Sequence, residues 1–205
     1  MTSQAPLPPP NDAAVPPQLE RYRQYLTILA RAQVLDRGMR DRLDLSGIVQ
    51  QTFLEAHTRL ADFRGPAPAT GSPELAAWLR SILANNLADG MRGLGRAKRD
   101  AARERALDHE LDNSSLRLGA FLAAAQSSPS QHAQREERAV LLADAMAELP
   151  EAQREVVLLR HCQAWGLSRI ANHVGRTPAA VAGLLQRGLR TLRERLAQRE
   201  RDGDL

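Results

Sequence analysis

Apolar residues recur every three or four positions along most of this chain, which is the spacing of an amphipathic helix. The repeat begins at Leu19 and continues through Tyr22, Leu26 and Leu29. A second segment shows it most clearly, through Leu45, Ile48, Val49, Thr52, Phe53, Ala56, Leu60 and Phe63. The Pro- and Gly-rich stretch from Gly65 to Gly71 interrupts the repeat, so we expect a loop there.

A third helix is predicted to begin at Pro73. Ser72 can cap its first turn, and Pro73 suits a position whose N–H would have no partner. Its buried stripe is expected to consist of Leu75, Trp78, Leu79 and Ile82. No segment alternates between apolar and polar residues as a strand would, so the fold class is predicted to be all-α.

The composition of two segments predicts how these helices are divided. Residues 1–17 are rich in proline and are expected to form a disordered tail. Residues 112–133, which include Ser127-Ser128-Pro129-Ser130, are predicted to be a flexible linker. We therefore expect two small helical domains, residues 18–111 and 134–205. An aromatic content of only 3% favours two small cores over a large one.

The segment from Leu167 to Leu189 predicts a helix-turn-helix. Ser168 can cap a short helix, Gly175 can adopt the left-handed turn conformation, and Thr177-Pro178 can begin the next helix. Ala171, Gly175 and Val181 have the spacing that a close crossing of two such helices requires. An ordinary helical hairpin could share one of these features, but it has no reason to share all of them.

In a helix-turn-helix the second helix enters the major groove of DNA, with its N-terminal residues facing the bases. The candidate DNA-binding residues are Arg176, Thr177, Ala179, Ala180, Ala182, Gly183, Gln186, Arg187 and Arg190. Because several of these residues are small, we expect the helix backbone to approach the DNA closely. For Arg190 and Arg193 a solvated helix face is the alternative explanation.

The third helix carries a second polar pattern. Asn85, Asp89, Arg92, Arg96, Arg99 and Arg103 are three or four positions apart and would share one stripe of a continuous helix. An amide followed by arginines suits a surface that meets bases at one end and phosphates along the other. Gly90, Gly93 and Gly95 weaken the helix there, so a bend or break near Gly93 is an alternative to continuity.

Charge and cysteine content narrow the function classes. The formal net charge is +4, and Lys98 is the one lysine among 28 cationic residues. Arginine suits phosphate and guanine, although a GC-rich genome would also produce this bias. Cys162 is the single cysteine, so neither an internal disulfide nor a Cys-x-x-Cys zinc site can form. No secretory or membrane-spanning segment is evident, and we expect a cytoplasmic protein without cofactor or metal.

An enzyme is not expected, because the sequence lacks a catalytic pattern. The five histidines are scattered, and the adjacent His161 and Cys162 would point in different directions on a helix. No glycine-rich phosphate loop or nucleophile-elbow motif is present. The main alternative is a dimeric helix-turn-helix regulator of duplex operators, whose N-terminal half would carry a sensor or dimer surface. A protein-interaction adaptor would leave the arginine stripe unexplained.

Two segments of the N-terminal half carry a family resemblance: Leu45-Ser46-Gly47-Ile48-Val49-Gln50-Gln51-Thr52-Phe53 and Ala77-Trp78-Leu79-Arg80-Ser81-Ile82-Leu83-Ala84-Asn85. They resemble region two of the extracytoplasmic-function sigma factors of the sigma-70 family. The stretch Glu148-Leu149-Pro150-Glu151-Ala152-Gln153-Arg154-Glu155-Val156, with the helix-turn-helix after it, resembles their region four. The resemblance covers residues 18–199, and the Gln50-Gln51 pair and the Leu184–Arg190 ending are similar to the planctomycete-type group.

The resemblance implies a factor that binds core RNA polymerase and directs promoter-specific transcription initiation. Region two would contact the β′ clamp helices through Gln50, Gln51 and Glu55, and the Trp78 helix would open the downstream promoter element, with Asn85 contacting a base. Region four would read the upstream element as duplex and meet the β flap, and an anti-sigma factor is a further implied partner. Gly47 and Gln51 depart from the family, which often has acidic residues at both positions.

Overall fold

The computed structural model describes residues 16–35, 37–63, 72–94, 101–123 and 132–202. Within them it is helical throughout, with turns and short connections and no strand, which confirms the predicted all-α class. The helices are α1 Pro17–Glu20, α2 Arg23–Gln33, α3 Arg37–Arg40, α4 Leu45–Thr58, α5 Pro73–Gly93, α6 Ala101–Ala123, α7 His132–Ala147, α8 Glu151–His161, α9 Leu167–Val174 and α10 Pro178–Asp202. A 3-10 turn, Leu60–Asp62, follows α4.

Helix starts follow local hydrogen bonding. The hydroxyl of Ser72 accepts from the N–H of Leu75 at 3.3 Å, with Pro73 in the first turn, so the predicted start of α5 is correct. The carboxylate of Asp44 accepts from the N–H of Gly47 at 2.8 Å and caps α4. Each side chain occupies a backbone donor that has no partner within the helix.

Two predicted helices are shorter than their apolar repeats. The first repeat is divided at Arg21 and Tyr22 into α1 and α2, although Leu19, Tyr22, Leu26 and Leu29 are all buried. The second helix ends at Thr58, so Leu60 lies in the 3-10 turn and Phe63 beyond it. Phe63 nevertheless packs on Trp78, with ring centroids 5.3 Å apart.

The third predicted helix, α5, ends at Gly93, which settles the alternative left open by the glycines. Arg96 and Arg99 lie outside the described residues, and Arg103 belongs to α6, so the stripe from Asn85 to Arg103 does not lie on one helix. Gly90 has a packing role, because a Cβ there would lie 2.8 Å from Ile48 Cδ1 and 2.9 Å from Leu43 Cδ1. Because Gly90 has no Cβ, α5 can cross close to α4.

The predicted linker needs a correction at its start. Residues 112–123 form the second half of α6, in which Leu111, Ser114, Ser115 and Leu118 are buried. Residues 124–131 lie outside the described part of the chain, and His132 and Ala133, the last two residues of the predicted linker, begin α7. Residues 1–15 of the predicted tail also lie outside the described part, whereas Pro17 begins α1. The prediction rested on Ser127-Ser128-Pro129-Ser130, which lie outside the described residues, whereas Ser114 and Ser115 within α6 are buried and hydrogen-bonded.

The N-terminal and C-terminal helices share one apolar core in the described structure. Helix α2 packs against α7 and contacts α8, while α6 lies against α5, α2 and α7. Buried side chains from both halves, including Leu29 and Leu142, belong to the same cluster. The C-terminal helices α8, α9 and α10 pack on one another at the far end of the chain.

Candidate nucleic-acid interface

The turn between α9 and α10 has the predicted helix-turn-helix geometry. Gly175 adopts φ 66° and ψ 40°, the left-handed conformation, and the N–H of Arg176 donates to the carbonyl of Ala171 at 3.0 Å. The hydroxyl of Thr177 accepts from the N–H of Ala180 at 3.2 Å and caps α10. Ile170, Ala171 and Val181 are fully buried at the crossing of the two helices.

One predicted detail of α9 is wrong. The helix begins at Leu167 after Gly166, and no side chain caps it, so Ser168 lies inside the first turn and is not the cap. Trp165 packs against this turn, and the guanidinium carbon of Arg169 lies 3.9 Å from the centroid of its ring. Packing and this cation–π contact therefore hold the start of α9.

The first half of α10 presents an open face. The exposed candidates there are Arg176, Thr177, Ala179, Ala180, Gln186, Arg187 and Arg190, whereas Ala182 and Gly183 are half-buried. The guanidinium of Arg187 lies along the helix beside Gly183, where a Cβ would be 3.4 Å from its Nη1 atom. The structure therefore brings the predicted residues to one surface, with small residues between the cations.

The arginines of α10 fall into two groups by their partners. Arg195 pairs with Glu148 at 2.8 Å, and Arg199 pairs with Asp144 and Glu148, which attaches the end of α10 to α7. Among the described residues Arg176, Arg187 and Arg193 make no ion pair, and Arg190 has only a 3.9 Å approach to Glu194. Positive charge is thus left uncompensated on the outward face, as phosphate binding requires.

A second polar surface lies on α5. Asn85 and Asp89 are exposed on one side of the helix, and Arg92 pairs with Asp89. The next residue after Asn85 has a different role: Asn86 is half-buried and donates to Thr52 Oγ1 at 3.2 Å. Adjacent amides therefore separate into one that fixes α5 on α4 and one that is free to meet a ligand. Arg96, the remaining candidate, lies outside the described residues.

The outer face of α4 carries the residues expected to contact polymerase. Gln50 and Gln51 are exposed, and Gln50 Oε1 accepts from Arg23 Nη1 at 3.2 Å. Glu55 is half-buried and pairs with Arg59 at 2.7 Å. Sequence reasoning missed Leu54, which is 43% exposed beside the two glutamines. The sequence could have indicated it, because Leu54 is an apolar residue that does not share the helix face of the buried Val49, Thr52, Phe53 and Ala56.

The absence of a side chain at position 47 has a local explanation. A Cβ on Gly47 would collide with the capping carboxylate of Asp44, so the cap and an acidic side chain at 47 exclude each other in this conformation. The exposed carboxylate at this end of α4 is therefore that of Asp44.

His161 and Cys162 do not form a reactive pair. Cys162 is fully buried, and burial raises the pKa of its thiol to about 12, so the thiol stays protonated near neutral pH. Burial, followed by the charge of Arg160, lowers the pKa of His161. Both side chains fill space at the end of α8. In the described residues no cluster of three or more potential metal ligands occurs.

The C-terminal helices match a known protein family. Residues 139–192 match the family model described as sigma-70, region 4. The C-terminal unit is similar to sigma-70 region 4. The matched segment runs from within α7 through the helix-turn-helix to the middle of α10, and it includes the turn at Gly175 and the exposed Arg176, Arg187 and Arg190.

Two curated proteins with similar sequences are named as RNA polymerase sigma factors. Over 164 residues, 78% of this chain, the sequence is 32% identical to the probable RNA polymerase sigma factor RfaY of Xanthomonas campestris pv. campestris. Over 77 residues, 38% of this chain, it is 39% identical to the RNA polymerase sigma-E factor of Streptomyces antibioticus. The chain spans 36% and 41% of the lengths of these two proteins.

None of the described helices is both long enough and apolar enough to cross a membrane.

Proposed function

We propose that this chain is a sigma factor that binds core RNA polymerase and directs promoter-specific transcription initiation. One observation carries the proposal: the segment similar to sigma-70 region 4 is also the segment with helix-turn-helix geometry and an uncompensated arginine face. The longer alignment to a protein named as a sigma factor covers 78% of this chain and supports extending the proposal to the N-terminal helices.

In this proposal α9 and α10 read the upstream promoter element as duplex. The N-terminal residues of α10 would enter the major groove, where Arg176 and Gln186 can reach base edges or phosphates. The small side chains of Ala179 and Ala180 and the absence of a side chain at Gly183 support a close approach of the helix backbone. Arg187 and Arg190 would meet phosphates, which position the helix but carry no sequence information.

The N-terminal half would open the downstream element through α5. Promoter opening needs no catalytic group, because binding an unpaired base shifts the duplex toward the open state. An exposed amide at Asn85 offers both a donor and an acceptor to a base edge. Asp89 screens Arg92 on this face, so we assign base capture to Asn85 and a weaker backbone contact to Arg92. Arg96 would extend the same contact.

Polymerase contacts are assigned to α4 and to region 4. Gln50, Gln51 and Glu55 would meet the β′ clamp helices, and exposed Leu54 would add apolar area at the centre of that surface. The C-terminal unit would meet the β flap. We further propose a cytoplasmic, non-enzymatic factor of the extracytoplasmic-function class and the planctomycete-type group, with an anti-sigma factor as an additional partner.

Co-purification with core RNA polymerase, followed by transcription from a promoter library, tests this function. We expect stoichiometric binding and start sites that core polymerase alone does not use. Gln51→Arg should weaken polymerase binding, because it places a cation in the centre of the α4 surface. Gln18→Arg adds the same charge at an exposed position of α1, where no polymerase contact is assigned, and should leave polymerase binding unchanged.

Failure to bind polymerase would contradict the proposal. A chain that instead forms a dimer and binds duplex operators without polymerase would support the helix-turn-helix regulator.

A further inference from the structure

Arg23, the first residue of α2, is held against α4 by three different contacts. Its Nε and Nη2 atoms donate to the two carboxylate oxygens of Glu20, the bond from Nη2 being 2.8 Å long. Its guanidinium carbon lies 5.0 Å from the centroid of the buried Phe53 ring. The remaining nitrogen, Nη1, donates to Oε1 of Gln50 at 3.2 Å. The planar guanidinium thus has one orientation, in which Nη1 faces Gln50.

This last contact determines how the amide of Gln50 is turned. A guanidinium has only donors, so the atom of Gln50 that faces Arg23 must be the carbonyl oxygen. The Nε2 group, with its two N–H donors, is therefore turned away from Arg23, and within the described residues it has no hydrogen-bond partner. Because Gln50 is exposed, these donors are open to a binding partner.

The neighbouring Gln51 provides a contrast. It is also exposed, but no side chain in the described part of the chain fixes its amide, which can offer either its oxygen or its N–H groups. Gln50 can offer only N–H groups as long as it keeps its bond to Arg23. The two glutamines of the α4 surface are therefore not equivalent, and only the chemistry of Gln50 is set before a partner binds.

Both arginines that contact the assigned polymerase residues are already paired. Arg23 is bound to Glu20, and Arg59 pairs with Glu55 at 2.7 Å. The second carboxylate oxygen of Glu55 accepts from Asn86 at 3.4 Å. A carboxylate from a partner would have to compete with these ion pairs, whereas a carbonyl oxygen needs only an N–H donor. The surface thus favours an uncharged acceptor.

We propose that Arg23 is a positioning residue of the polymerase surface, which turns Gln50 so that its Nε2 donates to a carbonyl oxygen of the polymerase. This inference rests on the proposed function and specifies the group that Gln50 recognises. Arg23 acts through Gln50, because it excludes the amide orientations that cannot donate. An amide that is fixed before binding loses less conformational entropy when the complex forms.

Gln50→Glu is the first variant to test. Its carboxylate still accepts from Arg23, so the side chain keeps its place, but it has no N–H to donate. Fluorescence anisotropy of the labelled full chain with core RNA polymerase should show binding weakened by about tenfold or more, because an anion then faces the carbonyl oxygen. Gln18→Glu adds the same charge at an exposed position of α1, where no polymerase contact is assigned, and should bind as wild type does.

A double-mutant cycle separates positioning from a direct or structural role. Arg23→Ala should weaken polymerase binding roughly two- to tenfold in the wild-type background, since the Gln50 amide is then free to turn. In a Gln50→Ala background the same substitution should change the affinity by less than about twofold, because Arg23 has no amide left to position. An arginine that contacts polymerase directly, or that only stabilises the fold, would lower the affinity in both backgrounds.

Equal or tighter binding of Gln50→Glu would overturn the inference, because the partner group would then be a donor. Equal losses on Arg23→Ala in the two backgrounds would overturn it as well. A Gln50→Ala variant whose polymerase binding depends differently on salt would contradict the uncharged acceptor. When wild type binds polymerase, each of these results removes the inference alone. Failure of wild type to bind would contradict the proposed function, and this inference with it.

Discussion

At the scale of single residues, two positions of the C-terminal half adopt positive φ, with opposite consequences for stability. Gly175 has φ 66° in the turn between α9 and α10, and no atom outside its chain neighbours lies within 4 Å of where a Cβ would be. Ala164 has φ 53° although it carries a Cβ. The left-handed conformation costs an L-residue about 1–2 kcal/mol, and glycine escapes this cost.

We expect Gly175→Ala to lower the free energy of unfolding by about 1–2 kcal/mol, entirely through backbone strain. Ala164→Gly is the reciprocal control and should leave stability unchanged or raise it slightly. Urea unfolding followed by circular dichroism measures both. Equal stability of Gly175→Ala and wild type would mean that the turn adopts another conformation in solution.

Arg187 illustrates how one cation can be tested as a phosphate contact. Its removal by Arg187→Ala should weaken binding of the upstream element and reduce the log–log salt slope by about 0.9, the value for one phosphate on duplex DNA. Holoenzyme binding to a labelled duplex over a range of salt concentrations gives the slope. Arg195→Ala, on the same helix but paired with Glu148, should leave the slope unchanged. Indistinguishable slopes for wild type and Arg187→Ala would mean that Arg187 is solvated and does not contact a phosphate.

At the scale of elements, the start of α5 could be predicted from neighbouring residues, whereas the second half of α6 could not. The start of α5 follows from Ser72 and Pro73, whose effects act within one turn. The predicted start of the linker is wrong, because residues 112–123 belong to α6, where Ser114 and Ser115 are among the buried residues. Buried serines are indistinguishable from linker serines in a sequence, since only their distant partners satisfy the hydroxyls.

The packing of α6 leads to a prediction that a linker would not fulfil. Leu118→Ala removes a fully buried side chain and should destabilise the protein by about 2–5 kcal/mol. Leu116→Ala makes the same change two residues earlier, where the side chain is 45% exposed, and should cost less than about 0.5 kcal/mol. Thermal or chemical unfolding distinguishes the two. Similar small effects for both variants would mean that residues 112–118 form a linker and not a packed helix.

At the scale of the whole molecule, the two proposed DNA contacts act at different steps. Contacts of α10 with the upstream duplex are present before and after promoter opening, so they stabilise both complexes and cannot drive the step between them. Only a contact that forms after unpairing can do so. Asn85 is the exposed amide on the α5 face assigned to this role.

We therefore expect Asn85→Ala to impair opening while closed-complex affinity stays near wild type. A lost base contact is worth about 1–3 kcal/mol, or roughly a five- to hundredfold change in the opening equilibrium. Holoenzyme is assayed on a duplex promoter and on a pre-melted bubble of the same sequence, with Asn113→Ala of α6 as the control for loss of an amide. Reduced closed-complex affinity with unchanged opening would make Asn85 a duplex or structural contact.

Local interactions are what the sequence by itself determined. The caps at Ser72 and Thr177, the left-handed Gly175 and the buried Val181 all depend on residues within one or two helical turns, so their spacing along the chain predicts them. The same holds for the exposed arginine face of α10, which follows from helical periodicity.

Tertiary structure decided the rest, because burial of polar groups depends on partners far away in the chain. Arg80 lies 55 residues from Tyr25 and 56 from Glu136, and without those partners its charge would belong at the surface. The helical character of residues 112–123 and the packing of both halves into one core have the same origin. They arise from contacts between helices, which no local pattern of residues encodes.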